Sequence, residues 1–318
     1  MEWLGAFLPI GAILFLPVAL SAPTLYHEWW PSHEAGHAVE AAVEAKRAFL
    51  NPGTFYGLSA LFFAIWSGAG WFYYSTSRKL DESGDPALTS TMQKFSPPLI
   101  FLIGYSLAFS GILWVMSMTP AWFSTMWGVY IFAGSMTSSL AVLSLMMVIF
   151  RAKGLFKRVC TVEHQHDIGK LLFAFTMFFA YIGFCQFFLI WYANIPEETT
   201  FYHHRFIEGW KGMSWMLPLC HFALPFSWLM PRTIKRSMLG LGIGAVILLI
   251  MHWLDMYWMV MPNLDEEAPH FSWIDLGGLL APAGLLATWL AFRASKDPIY
   301  PIKDPRVPEA MRVDNGQG

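Results

Sequence analysis

Long apolar stretches alternate with shorter polar segments along the whole chain. Each stretch contains about 20 residues or more, the length that an α-helix needs to cross a hydrocarbon layer of about 30 Å. The stretches lack the two-residue alternation of barrel strands, and a helix satisfies its own backbone hydrogen bonds in lipid. The pattern therefore predicts an all-α, polytopic integral membrane protein with about eight transmembrane helices. The predicted spans lie near residues 3–22, 55–77, 97–118, 122–150, 168–195, 212–230, 237–261 and 273–292.

The segment after the last span differs in composition from the rest of the chain. Residues 294–318 are polar and contain four prolines between positions 298 and 308. Such a sequence cannot bury enough apolar surface to pack a core of its own. We therefore expect a transmembrane helical domain over residues 1–293, followed by a cytoplasmic tail, residues 294–318, that is extended against a partner or disordered.

Basic residues are concentrated in every second polar segment. Of the 20 lysines and arginines, 15 fall after the second, fourth, sixth and last spans. Cytoplasmic segments of membrane proteins carry this excess of Lys and Arg. Both termini are therefore expected on the cytoplasmic side, and the segments after the odd-numbered spans face outward.

The composition excludes several functional classes. With 56% hydrophobic and 13% charged residues, the chain is too apolar for a water-soluble domain of its length. A net charge of −2 without a large basic patch argues against a nucleic-acid partner. The three cysteines form no CxxC or CxxCH motif. We therefore expect no covalent haem, no cysteine-ligated iron–sulfur cluster and no other cofactor in this chain.

One formal metal-binding motif is present. His33-Glu34-Ala35-Gly36-His37 matches HExxH, which on a helix places two imidazoles on one face to bind zinc, with the glutamate as general base. The motif lies in a short outward connection that offers no buried helix to shield the metal, and a glycine separates the histidines. We therefore predict no metal site, and stoichiometric zinc in the pure protein would contradict this.

Polar side chains inside the apolar stretches are the most informative functional signal, because each is costly in lipid unless it is paired or hydrated. Gln186, His221 and His252 lie in three different spans, all about 13–15 Å below the outer helix ends at 1.5 Å per residue. Asp255 lies one turn further out, on the same helix face as His252. The group suits proton transfer or hydrogen bonding to a quinone carbonyl, and a structural polar clamp is an equal alternative. A b-type haem between the two histidines is a further alternative, which an absorption spectrum without a Soret band would exclude.

Two further polar groups flank the fifth span. At its inner end, His164, His166, Asp167 and Lys170 form either a cytoplasmic entrance to a proton path or a helix cap, with Asp167 near the positive end of the helix dipole. The second group lies in the outward segment after the fifth span. It either conducts protons to the outer water, binds a partner subunit or is a solvated loop. Its members are Glu197, Glu198, His203, His204 and Glu208.

Several stretches carry a family resemblance that covers most of the chain. They are Asp167–Phe175, Ala180-Tyr181, Gln186-Phe187, Trp191–Thr199, Tyr26–Trp29, Lys46–Asn51 and His252–Asp255. In them the chain resembles the second NrfD-like membrane subunit of bacterial alternative complex III, a relative of the polysulfide reductase membrane subunit. The run WYANIPEET at Trp191–Thr199 is its most specific part.

The resemblance implies a membrane subunit of a respiratory quinol:electron-acceptor oxidoreductase in the bacterial inner membrane, with two four-helix bundles. Haem c and iron–sulfur clusters then belong to partner subunits, namely a second NrfD-like subunit, an iron–sulfur protein and c-type cytochromes. Quinone and bound lipids are candidate ligands, and a terminal oxidase is a candidate partner. The family usually has further N-terminal spans, so we expect that the sequence is shortened at its start or that another chain supplies these spans.

The resemblance assigns quinol oxidation to the sister subunit and a proton-conducting or structural role to this one. The matching positions are Asp167, Lys170, Tyr181, Gln186, Tyr192, His252 and Asp255. With His166, His221 and Glu198 they are our candidate proton-pathway or quinone-side residues, and none is predicted to be catalytic. The alternatives are a secondary transporter with a midplane polar site, for which no internal repeat is evident, and a structural anchor for peripheral electron-transfer subunits.

Overall fold

Helices make up most of the protein in this computed structural model, and no strand occurs in the part of the chain that it describes. The described residues are 2–31, 37–156, 159–206, 208–265 and 267–313. Among them, 7 helices are long and apolar enough to cross a membrane. The prediction of an all-α, polytopic membrane protein is thereby confirmed.

We number the main helical segments α1 to α9 in chain order, and all except α6 and α7 are candidate spans. They are Glu2–Leu20, Pro52–Ser83, Pro86–Trp114, Trp127–Ala152, Val162–Ala193, Pro196–Arg205, residues 208–229, Met238–Val260 and Trp273–Lys296. Shorter helices connect or follow them. These are Ala22–Leu25, His37–Lys46, Met116–Met118, Arg232–Arg236, Met261–Asn263 and Val307–Ala310.

The sixth predicted span corresponds to α7, which is helical throughout but irregular. A π-helical turn, Leu217–Ala223, separates two α-helical parts. Pro218 and Pro225 have no amide hydrogen to donate to the carbonyl four residues earlier. Pro218 lies at the start of the wider π turn, and Pro225 lies at the start of the α-helical part that follows it. The described residues therefore form the 7 candidate spans and this interrupted segment.

Two spans begin earlier than the hydrophobic pattern predicts. α3 begins at Pro86 rather than near residue 97, and α5 begins at Val162 rather than near residue 168. The side chains of Asp85 and Thr161 accept hydrogen bonds from amides of the first turns. A helix begins where its first amides are capped, so polar turns precede the apolar part of each span.

The chain divides into two units, the first of which comprises residues 1–128 and 270–304. Unit 1 contains α1, α2, α3 and α9. In α2 and α3, Trp66 Nε1 donates a 2.8 Å hydrogen bond to Ser106 Oγ. α1 approaches α2 so closely that a Cβ atom on Gly70 would lie 2.2 Å from the carbonyl oxygen of Gly5. Such small-residue contacts allow transmembrane helices to pack against each other.

The region after the last span differs from the expected extended tail. α9 continues to Lys296, so the domain boundary expected after residue 293 lies inside a helix. The buried carboxylate of Asp297 then accepts hydrogen bonds from Tyr74 Oη at 2.9 Å and from the Arg78 guanidinium. These charge-assisted hydrogen bonds attach the segment after α9 to α2. Residues 294–304 therefore belong to unit 1.

Unit 2 comprises residues 129–269 and 305–318 and contains α4 to α8. Its hydrophobic core joins α4, α5, α7 and α8. The buried core residues are Leu140, Ala141, Leu172, Leu229, Leu241, Ala245 and Leu248. A Cβ atom on Gly244 of α8 would lie 2.8 Å from Leu229 Cδ2, so this glycine permits close helix packing.

Candidate functional site

The buried carboxyl group of Asp255 is the centre of the candidate site in unit 2. Asp255 lies on α8 and is 1% exposed. Tyr130, on α4, donates a 2.7 Å hydrogen bond from its phenol to Oδ1 of Asp255. One turn earlier on α8, Nδ1 of His252 lies 3.9 Å from Oδ2 of Asp255. The predicted carboxylate–imidazole pair is therefore a close contact, although 3.9 Å is too long for a direct hydrogen bond.

His221 brings a third helix to this site. The π-helical turn of α7 carries its buried imidazole to a centroid distance of 5.8 Å from the ring of His252. Phe179, on α5, lies against both rings, at 4.5 Å from His221 and 6.2 Å from His252. A porphyrin bound between the two imidazoles would need the volume that the Phe179 ring occupies. This argues against the b-haem alternative. We call Tyr130, His221, His252 and Asp255 the polar cluster.

Several atoms of the polar cluster have no hydrogen-bond partner among the described residues. They are Nδ1 and Nε2 of His221, Nδ1 of His252 and Oδ2 of Asp255. Oε1 of Gln186, on α5, is likewise buried and without a partner in the described part of the chain. Buried polar groups are normally hydrogen-bonded, so these atoms can bind water or the polar head of a small molecule.

A second polar pair extends from the cluster toward α6. Gln186 forms a hydrogen bond with the phenol of Tyr202, and Tyr202 interacts electrostatically with Asp255 and Tyr130. Burial raises the pKa of Tyr202, so its phenol stays protonated at neutral pH and can donate a hydrogen bond. Polar side chains of α4, α5, α6 and α8 therefore interact electrostatically around Asp255.

Arg205 closes the C-terminal end of α8. It is 1% exposed and donates hydrogen bonds to the carbonyls of Phe201 at 2.9 Å, Trp258 at 3.1 Å and Met259 at 2.7 Å. The last two carbonyls belong to the final turn of α8, where backbone acceptors lack amide partners and the helix dipole favours a cation. Burial lowers the pKa of Arg205 to about 9, so the guanidinium keeps its charge at neutral pH. The arginine thus fixes the turn that follows Asp255.

Two glycines make room for the polar cluster. A Cβ atom on Gly134 of α4 would lie 2.5 Å from Cε1 of His252. A Cβ atom on Gly183 of α5 would lie 3.0 Å from Cε2 of Tyr130. The helix backbones therefore lie directly against both side chains, an approach that requires residues without a side chain.

Replacement of Gly134 by alanine is expected to displace the His252 ring and to destabilise the protein by about 1–3 kcal/mol, the usual range for overpacking. Gly104→Ala is the matched control on α3, because a Cβ atom there would meet nothing within 4 Å. Thermal unfolding in detergent compares the two variants. Equal unfolding temperatures for both would contradict the close contact between Gly134 and His252.

The structure places the other candidate residues outside the polar cluster. Tyr181 and Tyr192 are 63% and 76% exposed on α5, so they face away from the core of unit 2. Asp167 and Lys170 form an i, i+3 ion pair of 2.7 Å with both side chains partly exposed. Glu198 lies in the first turn of α6 and is half-buried.

The N-terminal end of α5 is capped by residues other than Asp167. Thr161 is the N-cap residue, and His164 Nδ1 accepts a hydrogen bond from the amide of Thr161 at 3.2 Å, which completes a capping box. Asp167 follows in the second turn, beyond the amides that need a cap. Cap formation therefore belongs to Thr161 and His164, whereas His166 is buried beside them.

The HExxH motif cannot be assigned a geometry. Residues 32–36 and the side chain of His37 lie outside the described residues. Within the described ranges, no group of three or more His, Cys, Asp or Glu side chains could hold a metal ion.

Sequence reasoning missed Tyr130, Tyr202 and Arg205. An arginine in a polar connection is normally solvated, and a tyrosine in an apolar span is normally an interfacial residue. Two features of the sequence could have pointed to these residues. Gly134 lies one turn after Tyr130, and aromatic residues lie on both sides of Arg205.

The sequence matches none of the family models and none of the curated proteins with which it was compared. The site is therefore interpreted from its own geometry. A phenol, a carboxyl group and two imidazoles from three helices can pass a proton between them through short reorientations or a bridging water.

Proposed function

We propose that the chain is a membrane subunit of a respiratory quinol:electron-acceptor oxidoreductase of the alternative complex III type, and that its polar cluster forms part of a proton pathway. The observation that carries the proposal is the meeting of Tyr130, His221, His252 and Asp255 within unit 2. Polar groups at membrane depth are costly and usually mark functional pathways.

The proposed pathway uses groups that can both release and accept a proton. Asp255 and Tyr130 share a hydrogen bond, and His252 lies 3.9 Å away. A modest rotation of the His252 ring, or one water, connects it to the carboxyl group. His221 extends the pathway on one side, and the Gln186–Tyr202 pair extends it on the other.

The organisation of the chain supports the same proposal. Each of the two units contains four long helical segments, counting the interrupted α7, in agreement with the two four-helix bundles that the family resemblance implies. Haem c and iron–sulfur clusters belong to partner subunits in this proposal. The subunit lies in the bacterial inner membrane with both termini in the cytoplasm, because its basic segments follow the even-numbered spans.

Gentle solubilisation of the tagged chain tests the proposed complex. We expect it to co-purify with c-type cytochromes and an iron–sulfur protein, with a visible haem c spectrum and quinol-oxidising activity. Isolation as a lone chain that moves a solute across liposomes would contradict the proposal and favour a transporter. A complex in which Asp255, His252 and His221 are all replaced by residues that cannot ionise tests the structural alternative. Wild-type proton translocation by this complex would favour a structural anchor.

A further inference from the structure

A buried histidine lies near the N-terminal end of α5, apart from the polar cluster. His166, in the second turn of α5, is 8% exposed. Its Nδ1 atom has no hydrogen-bond partner in the described part of the chain. A buried imidazole nitrogen of this kind needs a ligand or water to satisfy it.

Four basic side chains lie close enough to His166 to act on it electrostatically. They are Lys170, on α5, and Arg232, Lys235 and Arg236, in the short helix between α7 and α8. Like charges repel one another at such range, so a bound anion would stabilise the arrangement.

Two carboxylates of α5 lie among these basic side chains. Asp167 pairs with Lys170 at 2.7 Å, and Glu163 pairs with Nη2 of Arg236 at 2.6 Å. The other terminal nitrogen of Arg236, Nη1, is buried and has no hydrogen-bond partner within the described residues. One side of this guanidinium therefore remains available to a ligand.

Local packing holds the basic helix against α5. Lys235 donates hydrogen bonds from Nζ to the carbonyls of Leu229 at 2.7 Å and Met230 at 2.8 Å. Gln165 Nε2 donates to the carbonyl of Lys235 at 3.3 Å. The side chain of Lys235 lies over Gly169, where an added Cβ atom would be 3.0 Å from Lys235 Cβ. The backbone of the helix that carries Arg232, Lys235 and Arg236 is therefore held in a fixed position against α5.

We infer that His166 and Arg236 bind the phosphate group of an anionic phospholipid, with Lys170 and Arg232 adding positive charge around it. His166 Nδ1 and Arg236 Nη1 supply two donors, and guanidinium geometry suits phosphate oxygens. The site lies where the candidate spans α5 and α8 begin, at the level of lipid headgroups. In the orientation proposed above, this is the cytoplasmic leaflet. The inference goes beyond the proposed proton pathway and is tested independently of it.

Lipid binding by the full chain, with its co-purifying subunits, provides the test. Native mass spectrometry after reconstitution into nanodiscs measures retained phosphatidylglycerol against phosphatidylcholine of equal chain length. We expect preferential retention of phosphatidylglycerol, weakened about fivefold by Arg236→Gln, as expected for one basic residue near a membrane surface. His166→Phe, which leaves the Arg236–Glu163 ion pair intact, is expected to weaken retention in the same direction.

Lys79→Gln is the matched control, because Lys79 is an exposed lysine at the inner end of α2 in unit 1. It should leave phosphatidylglycerol retention unchanged. Equal retention by wild type and both site variants would overturn the inference. Tight binding of inorganic phosphate without any preference for phosphatidylglycerol would also overturn it, because the ligand would then be a free anion.

Discussion

Replacement of Asp255 by asparagine is expected to slow proton translocation by about 100-fold or more, the contribution of a well-placed proton-transfer group. Asparagine has nearly the same shape and keeps an oxygen that can accept the Tyr130 hydrogen bond. It cannot release or take up a proton. The complex should therefore assemble in normal amounts while its proton pathway is interrupted.

Proteoliposomes that contain the purified complex measure this effect as the rate of proton translocation during quinol oxidation. Asp85→Asn is a suitable control, because Asp85 is an exposed N-cap residue of α3 and asparagine caps helices equally well. The control should translocate protons at the wild-type rate. Unchanged translocation in Asp255→Asn would remove Asp255 from the pathway.

Replacement of Arg205 by methionine is expected to destabilise the protein by about 3 kcal/mol or more. The variant removes three hydrogen bonds from a charged donor, each worth about 1.5–3 kcal/mol. The Met259 carbonyl keeps a 3.1 Å hydrogen bond from the side-chain amide of Asn263, and relief from burying the charge offsets a further part of the loss. Two of these carbonyls end α8, so the turn after Asp255 should also loosen. Arg205→Lys, which keeps a charge but not the planar fork, should show an intermediate loss.

Chemical unfolding in detergent measures the change. Arg47→Met provides the control, because Arg47 pairs with Glu44 at 2.8 Å while both side chains remain about 70% exposed. Exposed ion pairs contribute about 0–1 kcal/mol, so this control should unfold almost like wild type. Equal destabilisation by Arg205→Met and Arg47→Met would show that Arg205 does not stabilise the end of α8.

The helical membrane fold was predictable because it depends on local composition. Apolar runs of membrane length dictate helices whatever their neighbours are, and the i, i+3 spacing of His252 and Asp255 fixes their common face. The irregular α7 was less predictable. Pro218 and Pro225 indicate a distortion, but not that it forms a π turn carrying His221 inward.

The partners of Asp255 depend on long-range packing, which a single sequence does not encode locally. Tyr130 is 125 positions away from it in the chain. Arg205 is buried only because α6 folds back over the end of α8. Conversely, Tyr181 and Tyr192 share α5 with Gln186 but lie on its exposed face, which the hydrophobic pattern alone could not distinguish in an apolar helix.

The central claim is that Asp255 exchanges protons with water through the polar cluster. Infrared spectroscopy of the membrane-embedded protein tests it directly, at a pH low enough to protonate the carboxyl group. We expect a carboxyl stretching band that shifts promptly when H₂O is replaced by D₂O and that disappears in Asp255→Asn. An Asp255 band that does not shift in D₂O would show a carboxyl group sealed from water and would contradict the proposed pathway.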